Sequence, residues 1–170
     1  KLHKGTLMAH TLETREDRKH EDTMQAHFEK HLGWSFEVMP KYHTVDRAIV
    51  DFDSEGSRVI GWLEYKHRQV HAGVYPTVMF QVAKTTAHYN LGLLTGLPSY
   101  LLVSFTGDYD GDKERSYYLC EITTQILQES RIVVTGRTDR GWETDVQPMY
   151  FIPMEEFDRI PDDDQLELII

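Results

Sequence analysis

Residues 58–66 read Arg-Val-Ile-Gly-Trp-Leu-Glu-Tyr-Lys, an alternating run that closes on Glu64 and Lys66. β-branched and aromatic residues at a period of two make this a strand. A second such run, Asp-Arg-Ala-Ile-Val-Asp-Phe, occupies residues 46–52. The two are joined by Asp53-Ser54-Glu55-Gly56-Ser57, a composition suited to a turn. The pair therefore reads as a β-hairpin. A turn centred on Glu55 sets Asp46 opposite Glu64. Alternation along the strand then puts Ile60, Trp62, Glu64 and Lys66 on one face, with Asp46, Ala48 and Val50 on one face of the facing strand. Directly opposed residues have Cβ atoms about 4.5–5.5 Å apart, close enough for two carboxylates to share one cation.

Outward from the hairpin, residues 12–32 read as a helix, with Thr11 at its start and Gly33 at its stop. Met24, Phe28 and Leu32 form its apolar stripe, and Glu21 falls on the same stripe, an unusual place for a carboxylate. Residues 35–39 read as a short strand. A second helix is expected over 76–92, with Gln81, Lys84, Thr85 and His88 as a polar stripe turned to DNA or to solvent. Residues 99–105 and 116–122 read as strands, the first buried. Shorter strands are expected at 132–135 and 149–152, and a helical turn at 155–159. Helix, strands, helix and strand in that order give an α/β fold with a mixed sheet flanked by helices.

Composition narrows the class. The chain has 170 residues, 40% of them hydrophobic and 27% charged, the profile of a globular domain and not of collagen, a coiled-coil rod or a disordered chain. Cys120 is the single cysteine, which excludes an internal disulfide framework and any multi-cysteine zinc site. The apolar stretch from Leu91 to Phe105 is too short and too broken to span a bilayer. No secretory signal is visible, Met8 is a candidate natural start, and an intracellular, cytoplasmic setting is expected. The net charge of −10 is uneven. The last 70 residues hold six basic and sixteen acidic side chains, which is the whole excess. The first hundred are balanced and so less hostile to a polyanion than the total suggests.

Asp46 followed by Glu64-Tyr65-Lys66 resembles the Asp…Glu-x-Lys signature of the PD-(D/E)XK nuclease superfamily. The likeness covers roughly residues 12–105. It rests on the agreement of hairpin register, shared face, Glu21 and element order, because the tripeptide alone is close to chance. Val45 stands where many members have Pro. The resemblance implies a restriction-endonuclease-like core over 12–105, preceded by a disordered or tag-derived stretch over 1–11. Residues 106–170 would add C-terminal strands and an acidic extension to the same domain. It implies a metal-dependent DNA endonuclease that hydrolyses phosphodiester bonds, similar to small phage or mobile-element nucleases. Asp46, Glu64 and the Tyr65 backbone carbonyl would hold Mg²⁺, with Mn²⁺ able to substitute. Lys66 would orient the attacking water, and Glu21 would bind a second ion or the metal's water shell. Arg47, His67, Arg68, Gln81, Lys84 and His88 are the candidate DNA contacts. A homodimer is expected by analogy with enzymes that cut both strands.

Other readings stand beside this one. A catalytically inactive nuclease-fold interaction module would use the acidic last third as its surface. The histidine pairs His27/His31 and His67/His71 have zinc spacing but no third ligand. Asp51 and Asp53 are secondary candidates for a metal. Asp108, Asp110 and Asp112 lack the downstream Glu of a calcium loop.

Overall fold

The computed structural model describes residues 15–40, 43–53, 56–109, 112–136 and 146–161. The N-terminal stretch, Glu55, Asp110, Trp142 and the 162–164 acidic patch lie outside them. Helix α1 (Arg15–Leu32) precedes strands β1 (Ser35–Val38), β2 (Arg47–Asp53), β3 (Gly56–Arg68) and β4 (Thr77–Gln81). Helix α2 (Val82–Thr95), β5 (Ser99–Tyr109), β6 (Asp112–Glu121) and α3 (Thr124–Glu129) follow. The chain ends through β7 (Arg131–Thr135), β8 (Gln147–Pro153), a single 3-10 turn (Met154–Glu156) and β9 (Asp158–Ile160). Gly33 follows α1 with φ +64°, a left-handed stop that suits glycine.

Two sheets form. The larger runs β1-β2-β3-β5-β6-β9 and the smaller β4-β8-β7. Among the described strands only β3 and β5 pair in parallel, and the segment between them passes through β4 and α2. The larger sheet is therefore mixed and flanked by helices, an α/β architecture. One of its faces receives α1 through Met24 and Phe28, packed on Phe36, Ile49, Leu63 and Leu102. Leu32, expected on that stripe, is exposed instead. On the other face Leu101, Val103 and Phe105 pack against Val78, Phe80, Tyr150 and Ile152 of the smaller sheet.

The β2–β3 register carries the site. Arg47 faces Leu63, Ala48 faces Trp62 and Ile49 faces Gly61, but Val50 faces Val59. Ile60 is the extra residue of a β-bulge. Nearer the turn the strands are paired one residue tighter than a turn centred on Glu55 would give. The bulge restores that register at the far end, so Asp46 comes level with Glu64. It also turns Ile60 to the opposite face, against the α1 cluster, so Ile60 does not share a face with Trp62 and Glu64.

The segment 77–81, expected to open the second helix, is strand β4 instead. Its residues Thr-Val-Met-Phe-Gln alternate, with Val78 and Phe80 buried and Met79 exposed. The β-branched and aromatic side chains fit a pleated surface better than a helix turn. Gln81 ends the strand and caps α2 in extended backbone, so strand passes into helix with no intervening loop.

Gly107 marks a close approach in β5. A Cβ there would fall on the backbone of Val70 and His71, 2.7 Å from His71 Cα. Gly107→Ala is expected to destabilise the protein by about 1–3 kcal/mol, the usual penalty of overpacking. Urea unfolding of the variant, with a wild-type midpoint counting against the clash, checks this.

Candidate active site

Asp46 sits in the bend just before β2, and its carbonyl accepts from Met39 N–H at 3.0 Å. Glu64 and Lys66 lie toward the C-terminal end of β3, beside Leu101 and Val103 of β5. Helix α2 descends on this face and contributes Lys84 and His88, one turn apart. Lys84 Nζ donates to Asp46 Oδ1 at 2.9 Å and to Glu64 Oε1 at 2.8 Å. His88, with no exposed surface, lies with Nε2 3.3 Å from the other Glu64 oxygen. A carboxylate only accepts, so Nε2 carries the proton in this contact. Its Nδ1 is buried without a partner among the described residues. Lys66 Nζ donates to the Met79 carbonyl of β4 and stands 5.0 Å from the centre of the Phe80 ring.

The electrostatics follow from burial and from two carboxylates sharing a small space. Burial, then the Glu64 charge, push the Asp46 carboxyl up to about 6 against the pull of Lys84. Burial also works to raise Glu64, but the His88 hydrogen bond and the Lys84 charge outweigh it and hold Glu64 below its ordinary range. Lys84 runs the other way. Burial disfavours its charge, yet Glu64 and Asp46 keep its value above the ordinary one. Among the described residues Lys66 has no carboxylate at hydrogen-bond distance. Burial, then Arg68, bring it down to about 7.

A family model described as "Phage putative PDDEXK endonuclease" matches residues 8–160. The chain belongs to this phage PDDEXK endonuclease family. The match extends well past residue 105 and takes in β6 to β9, which the sequence resemblance left out. No curated protein and no solved structure matches the chain. Among the described residues no helix is long and apolar enough to cross a membrane.

Asp46, Glu64 and Lys66 thus meet on one face, and other expected residues fall elsewhere. Glu21 lies across the sheet, where it takes the guanidinium of Arg47. Arg47 is buried at 5% exposure in that ion pair, which removes it from the DNA contacts. Alternation is the reason: Asp46 and Arg47 are neighbours, so they point to opposite faces. His67 is on the Arg47 face as well. It stacks on His20, with Nδ1 2.8 Å from Ser104 Oγ and Nε2 3.2 Å from Thr106 Oγ1. His88 is likewise no DNA contact, since it is wholly buried against Glu64. The α2 stripe faces inward: Thr85 and His88 are buried while Leu93 and Leu94 are exposed. Asp51 meets Arg58 near the turn, at 3.5 Å. His27 of α1 stacks on Tyr117 of β6 and meets the His31 ring at a tilt. Among the described residues no three His, Cys, Asp or Glu side chains are grouped to hold a metal. The site offers two carboxylates.

Two carboxylates suffice for Mg²⁺, which keeps several waters and takes one or two protein carboxylates with phosphate oxygens. The donor set fits: Asp46 Oδ1 and Glu64 Oε1 already converge on a single cation, the Lys84 ammonium.

Proposed function

We propose that the protein is a metal-dependent DNA endonuclease that hydrolyses phosphodiester bonds, with its centre at Asp46, Glu64 and Lys66. The convergence of Asp46 and Glu64 on one cation position carries this reading, and the family match supports it. Asp46, Glu64 and the Tyr65 carbonyl would hold Mg²⁺, or Mn²⁺ in its place. A bound divalent ion polarises the phosphoryl oxygen and acidifies water. His88 holds Glu64 by its second oxygen and fixes the carboxylate's orientation. Lys66, with a value near neutrality, can accept a proton from the attacking water or offset charge on the phosphate. Arg68, two residues further along the same face, and Gln81, at the start of α2, are the remaining candidates for phosphate contact. Glu21 supports the site indirectly, by anchoring Arg47 and so the start of β2.

A second reading is a nuclease-fold module that does not cut. The Lys84 ammonium favours it, because it neutralises both carboxylates as a structural ion pair would. Incubation of supercoiled plasmid with Mg²⁺, Mn²⁺ or EDTA separates the two. The endonuclease nicks or linearises the plasmid only with metal, and Asp46→Asn loses that activity by about 10³-fold, the scale of several kcal/mol of lost charge stabilisation. A folded protein inert on duplex, single-stranded and branched DNA with either metal would establish the module instead.

A further inference from the structure

We infer that Lys84 is a tethered cation that occupies the metal position between Asp46 and Glu64, so that a divalent ion enters by exchange with it. The inference rests on the reading of these two carboxylates as metal ligands. It adds a residue that sets how tightly they bind.

The geometry is specific. One Nζ reaches one oxygen from each carboxylate, at 2.9 and 2.8 Å. These are short charge-assisted contacts. Lys84 comes from the first turn of α2, and its side chain remains 39% exposed. The ammonium can therefore swing to solvent without unpacking the core. His88, one turn later, stays on the far Glu64 oxygen. The exchange thus frees the two inner oxygens and leaves the third contact in place. A like-charged ion cannot share that gap with the ammonium at such distances, so occupancy is mutually exclusive.

Competition of this kind lowers apparent affinity by the fraction of time the site is open. If the ammonium is away about a tenth of the time, the metal binds about tenfold more weakly than the bare carboxylates would allow. In the metal-free protein Lys84 also suppresses the repulsion between Asp46 and Glu64. The site is held assembled while it waits for its ion.

Calorimetric titration with Mn²⁺ in the absence of DNA tests this on the full chain. Lys84→Met is expected to bind about tenfold more tightly, Lys84→Arg to stay near wild type, and Asp46→Asn to lose binding. Thermal melting follows suit: Lys84→Met melts lower than wild type in EDTA and gains more from Mn²⁺. Unchanged or weaker binding by Lys84→Met, with binding lost in Asp46→Asn, overturns the exchange and leaves the metal reading standing. No binding by wild type or any variant brings down both. A variant that does not fold is bypassed in the wild-type protein. There the Lys84 side-chain ammonium resonance shifts on saturation with Mg²⁺, and an unmoved resonance overturns the proposal.

Discussion

If Glu64 holds the metal as proposed, Glu64→Gln is expected to cut metal-dependent cleavage by about 10³-fold or more, because the charge of such a ligand contributes several kcal/mol and each 1.36 kcal/mol is a factor of ten. The substitution is close to isosteric. The amide oxygen still accepts from Lys84, and its NH2 donates to His88 Nε2 once the neutral ring carries its proton on Nδ1, so the fold survives and circular dichroism should be unchanged. Its second consequence is electrostatic. The Asp46 carboxyl is raised first by burial and then by the Glu64 charge. Removing that charge moves Asp46 back toward its ordinary value, although burial keeps part of the shift. Carbon NMR of the Asp46 carboxyl in metal-free protein reads this directly. Retention of wild-type cleavage by Glu64→Gln would place the metal elsewhere.

Lys66→Met is expected to lose cleavage on a similar scale while raising stability in EDTA. The sign comes from linkage. The folded value of about 7 lies below the ordinary 10.5, so below pH 7 both states are charged and folding bears the full desolvation penalty. Between 7 and 10.5 the unfolded chain binds more protons than the native one, and wild-type stability rises with pH. Above 10.5 the penalty is gone. The variant lacks it throughout, so its advantage should be largest at pH 6–7 and vanish near pH 10. Lys66 is only half-buried, so solvent screens part of the effect. An increase in Tm of about 2–4 °C at pH 6 corresponds to ~1 kcal/mol in a chain of this size. An equal Tm at pH 6 and pH 10 would show that Lys66 bears no such penalty. Activity lost and stability gained together mark a functional group held at the expense of the fold.

The hairpin was legible because its register depends on local turn chemistry and alternation. Asp46 was placed opposite Glu64 from sequence, and the structure puts it there by a different route, through a tighter turn and a bulge at Ile60. No feature of Val59-Ile60-Gly61 announces that bulge except the glycine. β4 is hidden in the sequence because Thr77–Gln81 and α2 run together without a break, and a short apolar run fits either period. The polar stripe of α2 was read as solvent- or DNA-facing by the usual rule that charge lies outside. The rule fails here because Glu64 is itself inside, and a buried carboxylate draws Lys84 and His88 inward. Leu93 and Leu94, exposed on the same helix, were the available sign of that reversal. Glu21 falls on the apolar stripe of α1 by spacing, and its partner in the structure is Arg47 and not the site. The smaller sheet was beyond reach, because its pairing joins Thr77 to Pro153 and nothing local specifies so distant a contact.

That distant pairing bears on the order of events during synthesis. Helix α2 is continuous with β4, and β4 pairs with β8 near the end of the described chain. The strand cannot be paired until residue 153 has been made. Until then the first turn of α2, which carries Lys84, lacks the support of a paired β4, while Ser99 and Trp62 hold the later turns. A nascent chain that already contains Asp46, Glu64 and Lys66 would carry the signature without the assembled centre. Cleavage, if Asp46, Glu64 and Lys66 carry it as proposed, is therefore expected to wait until residue 153 has been made.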